Sequence, residues 1–257
     1  MDKASSVISQ MRAVTISREY GSGGGEIASR LARRLGWQLV DHEVVVRVAQ
    51  ELGVTEADAA AHDEQVEGLV ARFLNSMRAI EPMMPAIPPV PLATDTNEYQ
   101  EARRKVIEAA VLTGHVVIVG RGAQVLLARH RDVLHARIVA PLESRIAYVM
   151  QREGLDYNAA RTRIQAKERD RIRYLQAEHN QDPANAHLYD IVVNTGILDL
   201  DSAVELLCVA LERKANRLTI PTGKLGPAVG MPRYPEQPGD FLPPATGQPE
   251  PTRYDTE

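Results

Sequence analysis

The residues of this 257-residue chain with the most chemistry lie in one loop, Ser17-Arg18-Glu19-Tyr20-Gly21-Ser22-Gly23-Gly24-Gly25, which runs into Glu26. Glycines crowded at positions 21, 23, 24 and 25 let the backbone fold back and aim several N–H groups at one point. Convergent N–H donors at a positive helix end suit a phosphate. Gly21, Ser22, Gly23, Gly24, Gly25 and Glu26 are therefore the candidate phosphate cradle. Arg18 is the nearest cation. It is either a solvated loop residue or a charge that serves the phosphate. A second cation, Arg121, stands between Gly120 and Gly122, directly after the hydrophobic run His115-Val116-Val117-Ile118-Val119. In α/β sheets ligands bind beyond the carboxyl ends of strands, so Arg121 is placed to reach a phosphate.

The elements that position these groups can be read outward from the loop. Ala13-Val14-Thr15-Ile16 before it is a short apolar strand. After it, Ile27, Ala28, Leu31, Ala32 and Leu35 share one face of a helix that Gly36 ends. Trp37-Gln38-Leu39-Val40 is a second strand, with Asp41 just past its end. Strand, loop, helix, strand and acid make a βαβ unit. A dinucleotide fold would place G-x-G-x-x-G tight against the strand, with an acid about 20 residues on. Asp41 has that spacing, but the loop is too long and Glu26 replaces the third glycine. The longer loop fits a P-loop. Laid on that pattern, Gly24 stands where the lysine would be, Glu26 where the hydroxyl residue would be, and Arg18 at the first glycine. A lysine restored at position 24 is then expected to rescue the loss of Arg18.

The stretch Ile16-Ser17-Arg18-Glu19-Tyr20-Gly21-Ser22-Gly23-Gly24 resembles the opening motif of the cytidylate kinase-like family of P-loop nucleoside monophosphate kinases. The resemblance runs, with gaps, from about Val14 to Leu211. It implies phosphoryl transfer from ATP to a small acceptor such as CMP, with Mg2+ travelling with the ATP because no protein ligand set is evident. It implies that Asp41 and Arg47 hold the acceptor; the alternative for Asp41 is a helix N-cap. The family has acid, glycine, arginine, acid where this chain has Val119-Gly120-Arg121-Gly122, so the arginine is kept and both acids are lost. Glu168-Arg169-Asp170-Arg171-Ile172-Arg173 resembles the family's lid motif, which implies Arg169 and Arg173 on the transferred phosphoryl group and Asp170 on the acceptor. Without the resemblance this helix reads as a solvated one with internal ion pairs. The lost lysine and acids also leave open a nucleotide-binding module that senses or assembles without catalysing.

The rest of the chain sets the frame. Strands near 13–17, 37–40, 116–120, 134–140 and 190–194 alternate with helices. The pattern predicts an α/β fold, a five-stranded parallel sheet with helices on both faces; the resemblance implies that it is P-loop NTPase-like and carries an Arg-rich helical lid. The predicted organisation is a flexible N-terminus over 1–12, a kinase-like domain over 13–219, and a Pro-rich disordered tail over 220–257. Within the domain, the resemblance implies an acceptor-side insert over about 53–97 and a lid over about 156–187. Between Arg145 and Arg173 there are seven arginines and one lysine against two glutamates and two aspartates, although the whole chain carries −4. Ile164, Ile172 and Leu175 give that segment an apolar side. An acidic chain is a poor match for nucleic acid, and no apolar run is long enough to cross a membrane. One cysteine, Cys208, and no signal-peptide core predict a reducing cytoplasm.

Overall fold

A computed structural model describes residues 7–41 and 97–226. The expectations for Arg47, for all of the 53–97 insert but its last residue, and for the tail beyond 226 fall outside the described residues. The chain divides into two units, residues 1–217 and 218–257. In the second, the described part holds one short 3-10 turn, Thr222–Lys224.

In the first unit, β1 (Ala13–Arg18), β2 (Gln38–Val40), β3 (Val116–Val119), β4 (Val133–Val139) and β5 (Ile191–Asn194) form one sheet in the order β2-β3-β1-β4-β5. Every pairing is parallel. Both faces of the inner strands are buried, which explains their uninterrupted Val/Ile/Leu runs. Ala13, Val116, Ile118 and Val133 share one core with Val106, Ile107, Ala110 and Val111 of α2 (Asn97–Thr113). The short α3 (Ala123–Leu126) adds Ala123 to the same core. The alternate residues Val14, Ile16, Val117, Leu134 and Ile138 are equally buried on the other face. That face is covered by α1 (Gly24–Leu35) and α6 (Leu200–Ala215), through Ile27, Leu31, Leu207 and Leu211.

β1 sits where the strand order reverses, between β3 and β4. In such sheets the crevice for a ligand opens at the carboxyl edge of that strand. Two further helices cross this edge: α4 (Leu142–Glu153), stopped by Gly154 in the left-handed region, and α5 (Tyr157–His179). α5 starts on Asp156, whose carboxylate accepts the Ala159 N–H at 2.8 Å, and ends on Asn180 at φ 50. Both helices thus stop where a glycine or an asparagine permits positive φ.

The sheet holds the inner end of the N-terminal segment. Met11 is only 1% exposed, and the Arg12 N–H donates to the Asp132 carbonyl at 2.8 Å. A polar dodecamer reads as free because its one large apolar residue near β1 is isolated in sequence. The sheet nevertheless offers Met11 a place in the core.

Candidate functional site

The glycine loop connects β1 to α1, as the sequence predicts, and neighbouring elements hold it from several sides. The Ser22 hydroxyl donates back to the Glu19 carbonyl at 2.9 Å. The Thr195 hydroxyl, just past β5, donates to the Ser22 carbonyl at 2.9 Å. Glu19 accepts the Ala140 N–H at 3.0 Å and faces the Arg145 Nε at 3.6 Å. Gly21 and Gly23 have φ of 85° and 76°, a region that favours glycine. Glu26 points away from the cradle, along α1, and pairs with Arg30 at 2.9 Å.

Arg18 does not lie in solvent. Its stem covers Gly24: a Cβ placed on Gly24 would stand 2.5 Å from the Arg18 Cβ and 3.1 Å from its Cγ. Its guanidinium rests on the backbone of Gly120, where a Cβ would collide with Nη1. Burial, then Arg171 and Arg121, push the Arg18 pKa down to about 10, against the opposite pull of Asp41 and Glu168. The guanidinium stays charged at neutral pH, in a cluster that among the described residues includes Arg171, Arg121, Asp41 and Glu168.

Arg121 also belongs to that cluster. It occupies the left-handed region at φ 59, between Gly120 at 76° and Gly122 at 66°. A non-glycine residue there costs about 1–2 kcal/mol, so the turn holds its arginine under strain. Burial holds the Arg121 pKa below the ordinary arginine value, while Tyr174 and Asp41 oppose the shift. The turn is tied to α5, whose Tyr174 hydroxyl donates to the Arg121 carbonyl at 3.3 Å. Position 122 sits in the left-handed region that favours glycine, and the ring of His179 stands where a Cβ on Gly122 would be.

α5 meets the loop through residues other than the predicted ones. Arg169, Asp170 and Arg173 are exposed. Ile164 and Leu175 are buried, and between them Glu168 and Arg171 turn toward the loop. The Tyr20 N–H donates to Glu168 at 2.6 Å. Arg171 Nη1 donates to the Arg18 carbonyl at 3.0 Å and to Glu168 at 3.1 Å. Its guanidinium lies 5.4 Å from the centroid of the Tyr20 ring, within cation–π range. Burial holds the Arg171 pKa low against Glu168, and Arg137 adds to the lowering. Ile172, counted on the apolar side from sequence, is 46% exposed; it drew the inner face one residue away from its true place. The stripe 164-168-171-175 was available from the spacing of Ile164 and Leu175, three turns apart.

The structure therefore brings together Arg18, Arg121 and Asp41 of the predicted residues and adds Arg171, Glu168 and Arg137. Among the described residues no three His, Cys, Asp or Glu side chains come together in a way that could hold a metal ion. The loop's own hydroxyl, on Ser22, is spent on backbone carbonyls.

Residues 13–197 match the family model described as the cytidylate kinase-like family. The chain belongs to this family. Among relatives of this cytidylate kinase-like protein is a cytidylate kinase from Ignicoccus hospitalis, 28% identical over 77% of this chain and 97% of the relative. A cytidylate kinase from Methanopyrus kandleri is 27% identical over 77% of this chain and 92% of its own. An uncharacterized protein from Eubacterium ventriosum has a similar fold, with a TM-score of 0.59 at 22% identity, covering 79% of this chain and 99% of that one.

Proposed function

We propose that the protein transfers a phosphoryl group from ATP to a nucleoside monophosphate, with CMP the first acceptor to test. One observation carries the reading. Arg18, Arg121 and Arg171 are desolvated together at the carboxyl edge of the sheet, beside a glycine loop, and like charges lower the Arg18 pKa. Two carboxylates, Asp41 and Glu168, act on that cluster. Arginines desolvated side by side repel one another, as the lowered Arg18 pKa reflects, and a phosphate is the anion such a loop accepts. Family membership supports the same class of reaction.

In this reading the loop N–H groups orient the donor phosphates. Arg18 supplies the charge that a P-loop lysine would give, and Arg121 and Arg171 share the charge that develops on the transferred group. Asp41 stands beside Arg18 and Arg121, where it orients both; with Arg47 it is assigned to the acceptor side. Magnesium enters as part of the MgATP substrate. The protein's part is positioning and charge neutralisation, with little covalent work. α5 serves as the lid, through Glu168 and Arg171 on its inner stripe, and Arg169, Asp170 and Arg173 remain available only if the helix rotates on closure.

The experiment is acceptor-dependent ADP release from MgATP with CMP, UMP, AMP and GMP in turn. Release with one of them supports the kinase. Binding of ATP without acceptor-dependent release across the panel would leave a nucleotide-binding module. A melt shifted by NAD alone would return the loop to dinucleotide chemistry.

A further inference from the structure

β4 reads Val-Leu-His-Ala-Arg-Ile-Val and is an interior strand, paired with β1 on one side and β5 on the other. Strand alternation puts Arg137 on the same face as Val133, in register with Ser17 of β1. It is 8% exposed. Arginine is rarely buried this far without a carboxylate. The comparison within the molecule is direct. Arg103, as deeply buried, pairs with Glu178 at 2.9 Å, and Arg145 faces Glu19 at 3.6 Å. Among the described residues Arg137 has no ion pair. Its Nη1 donates to two neutral hydroxyls, Ser17 at 3.2 Å and Tyr189 at 3.4 Å. A guanidinium carries five N–H donors, so most of its capacity is not used by these contacts.

The surroundings of Arg137 are built rather than incidental. The Tyr189 ring lies 5.6 Å from its guanidinium. The Tyr189 hydroxyl is itself anchored, donating to the Pro183 carbonyl at 3.0 Å and lying 3.2 Å from Ser17 Oγ. Ser17 immediately precedes Arg18. The charge of Arg137 also acts on Arg171 across the edge of the sheet. Arg137 therefore reaches the carboxyl edge from β4, on the opposite side of β1 from the β3 turn that carries Arg121.

We infer that Arg137 is a further phosphate-contacting residue: held by Ser17 and Tyr189, it gives its remaining N–H donors to a phosphoryl oxygen of the bound nucleotide. The inference rests on the nucleotide reading above and goes beyond it, because neither the glycine loop nor α5 supplies this contact. The phosphate belongs either to the donor or to the acceptor. Tripolyphosphate and CMP are separate probes for the two.

The test uses the full chain with Arg137→Met, which keeps an apolar stem without the charge, and Arg137→Lys. Titration calorimetry with each probe gives the affinities, and thermal melting without ligand gives the fold. The expected result is a ligand-free melt no lower than wild type, because an uncompensated buried charge has gone. Affinity for one probe should fall by about ten-fold or more, the lower end for a charged hydrogen bond, with Arg137→Lys in between. Arg137→Gln keeps a donor for Ser17 and Tyr189 and should lose the same ten-fold, which covers the case of a Met variant that does not fold. A variant with a melt several degrees lower and both affinities within two-fold of wild type would make Arg137 a prop for Tyr189 and overturn the inference. A wild type that binds neither probe overturns the nucleotide reading together with this one. A wild type that binds while Arg137→Gln binds equally overturns this one alone.

Discussion

Arg18 and Gly24 cannot both carry large side chains, and that exclusion gives a sharp prediction. A Cβ on Gly24 would lie 2.5 Å from the Arg18 Cβ and 3.4 Å from the Ile138 Cβ. Carbon atoms sit comfortably at about 3.5–4.0 Å, so the first contact overlaps by about an ångström. The Cβ of Arg18 is fixed by the backbone and cannot rotate away. Gly24→Ala should therefore shift the loop or the stem of Arg18, at the usual overpacking cost of about 1–3 kcal/mol. For a domain of this size that is a melt lower by roughly 2–4 °C per kcal/mol. If Arg18 serves the transferred phosphoryl group, displacing it should also lower kcat by about 10²–10³-fold, the range for one lost charge-stabilising donor.

The same geometry corrects an expectation from sequence. Gly24→Lys should not rescue Arg18→Ala, because the alanine keeps the Cβ that obstructs position 24. The pair that satisfies the geometry is Arg18→Gly with Gly24→Lys, which exchanges the two side chains and restores the ordinary P-loop arrangement. That double variant should recover about ten-fold or more of the activity lost in Arg18→Gly, a fraction of one donor's contribution. Arg18→Ala with Gly24→Lys should be worse than Arg18→Ala alone. The assay is ADP release from MgATP with the best acceptor, alongside thermal melting. Wild-type activity in Gly24→Ala, or rescue by Gly24→Lys on the Arg18→Ala background, would refute the exclusion.

Other measurements check the remaining assignments. Arg121→Gly should raise the ligand-free stability by up to about 1 kcal/mol by relieving left-handed strain while lowering kcat by about 10²-fold; lost stability and retained activity would both count against a strained phosphate contact. Glu168→Ala frees the Tyr20 N–H and removes a carboxylate from Arg171, so ATP should bind more tightly, read by calorimetry; weaker binding would make Glu168 a support for Arg171 instead. His135, beside Thr15 at 2.8 Å, has its pKa lowered to about 4, chiefly by burial and also by Lys214 against Asp190. The unfolded chain then binds the extra proton, so the stability is complete above about pH 6.5 and is lost as pH falls toward 4, at about 1.4 kcal/mol per pH unit. His135→Gln should flatten that part of a denaturation profile, and an unchanged slope would exclude His135 as its source.

The legible part of the molecule was the part that repeats a local rule. The glycine loop, the Gly36 and Gly154 stops and the β-strand runs each follow from residue type and spacing. The place of Arg121 at the sheet edge was legible because it follows a strand directly, between two glycines. Arg137 was not, because alternation in a strand buried on both faces does not say which polar residue reaches the edge. Arg171 and Glu168 were within the motif but hidden by register: α5 is polar almost all round, and the exposed Ile172 outweighed the true inner pair, Ile164 and Leu175. Tertiary packing, not periodicity, decides the face of such a helix.

The departures from the ordinary loop become intelligible as contacts rather than losses. Gly24 is bare because the stem of Arg18 lies on it, and Gly122 holds a left-handed turn position, φ 66, against which His179 of α5 is seated. In each case a side chain from elsewhere occupies the space that the usual residue would fill. A lysine on the loop would point at the phosphate from α1, with its stem free of β3. Arg18 instead comes from the end of β1 and rests on the β3 turn, so it is coupled to the turn that carries Arg121. α5 contacts both, through Arg171 on the Arg18 carbonyl and Tyr174 on the Arg121 carbonyl. Movement of α5 should therefore shift both arginines at once. Arg171→Ala and Tyr174→Phe should each alter the response of the site to ATP. The measurement is hydrogen exchange of residues 18–25 and 119–122 with and without ATP. In wild type both segments should become protected together, and in Tyr174→Phe the second should lag. Independent protection of the two segments in wild type would show that α5 does not couple them.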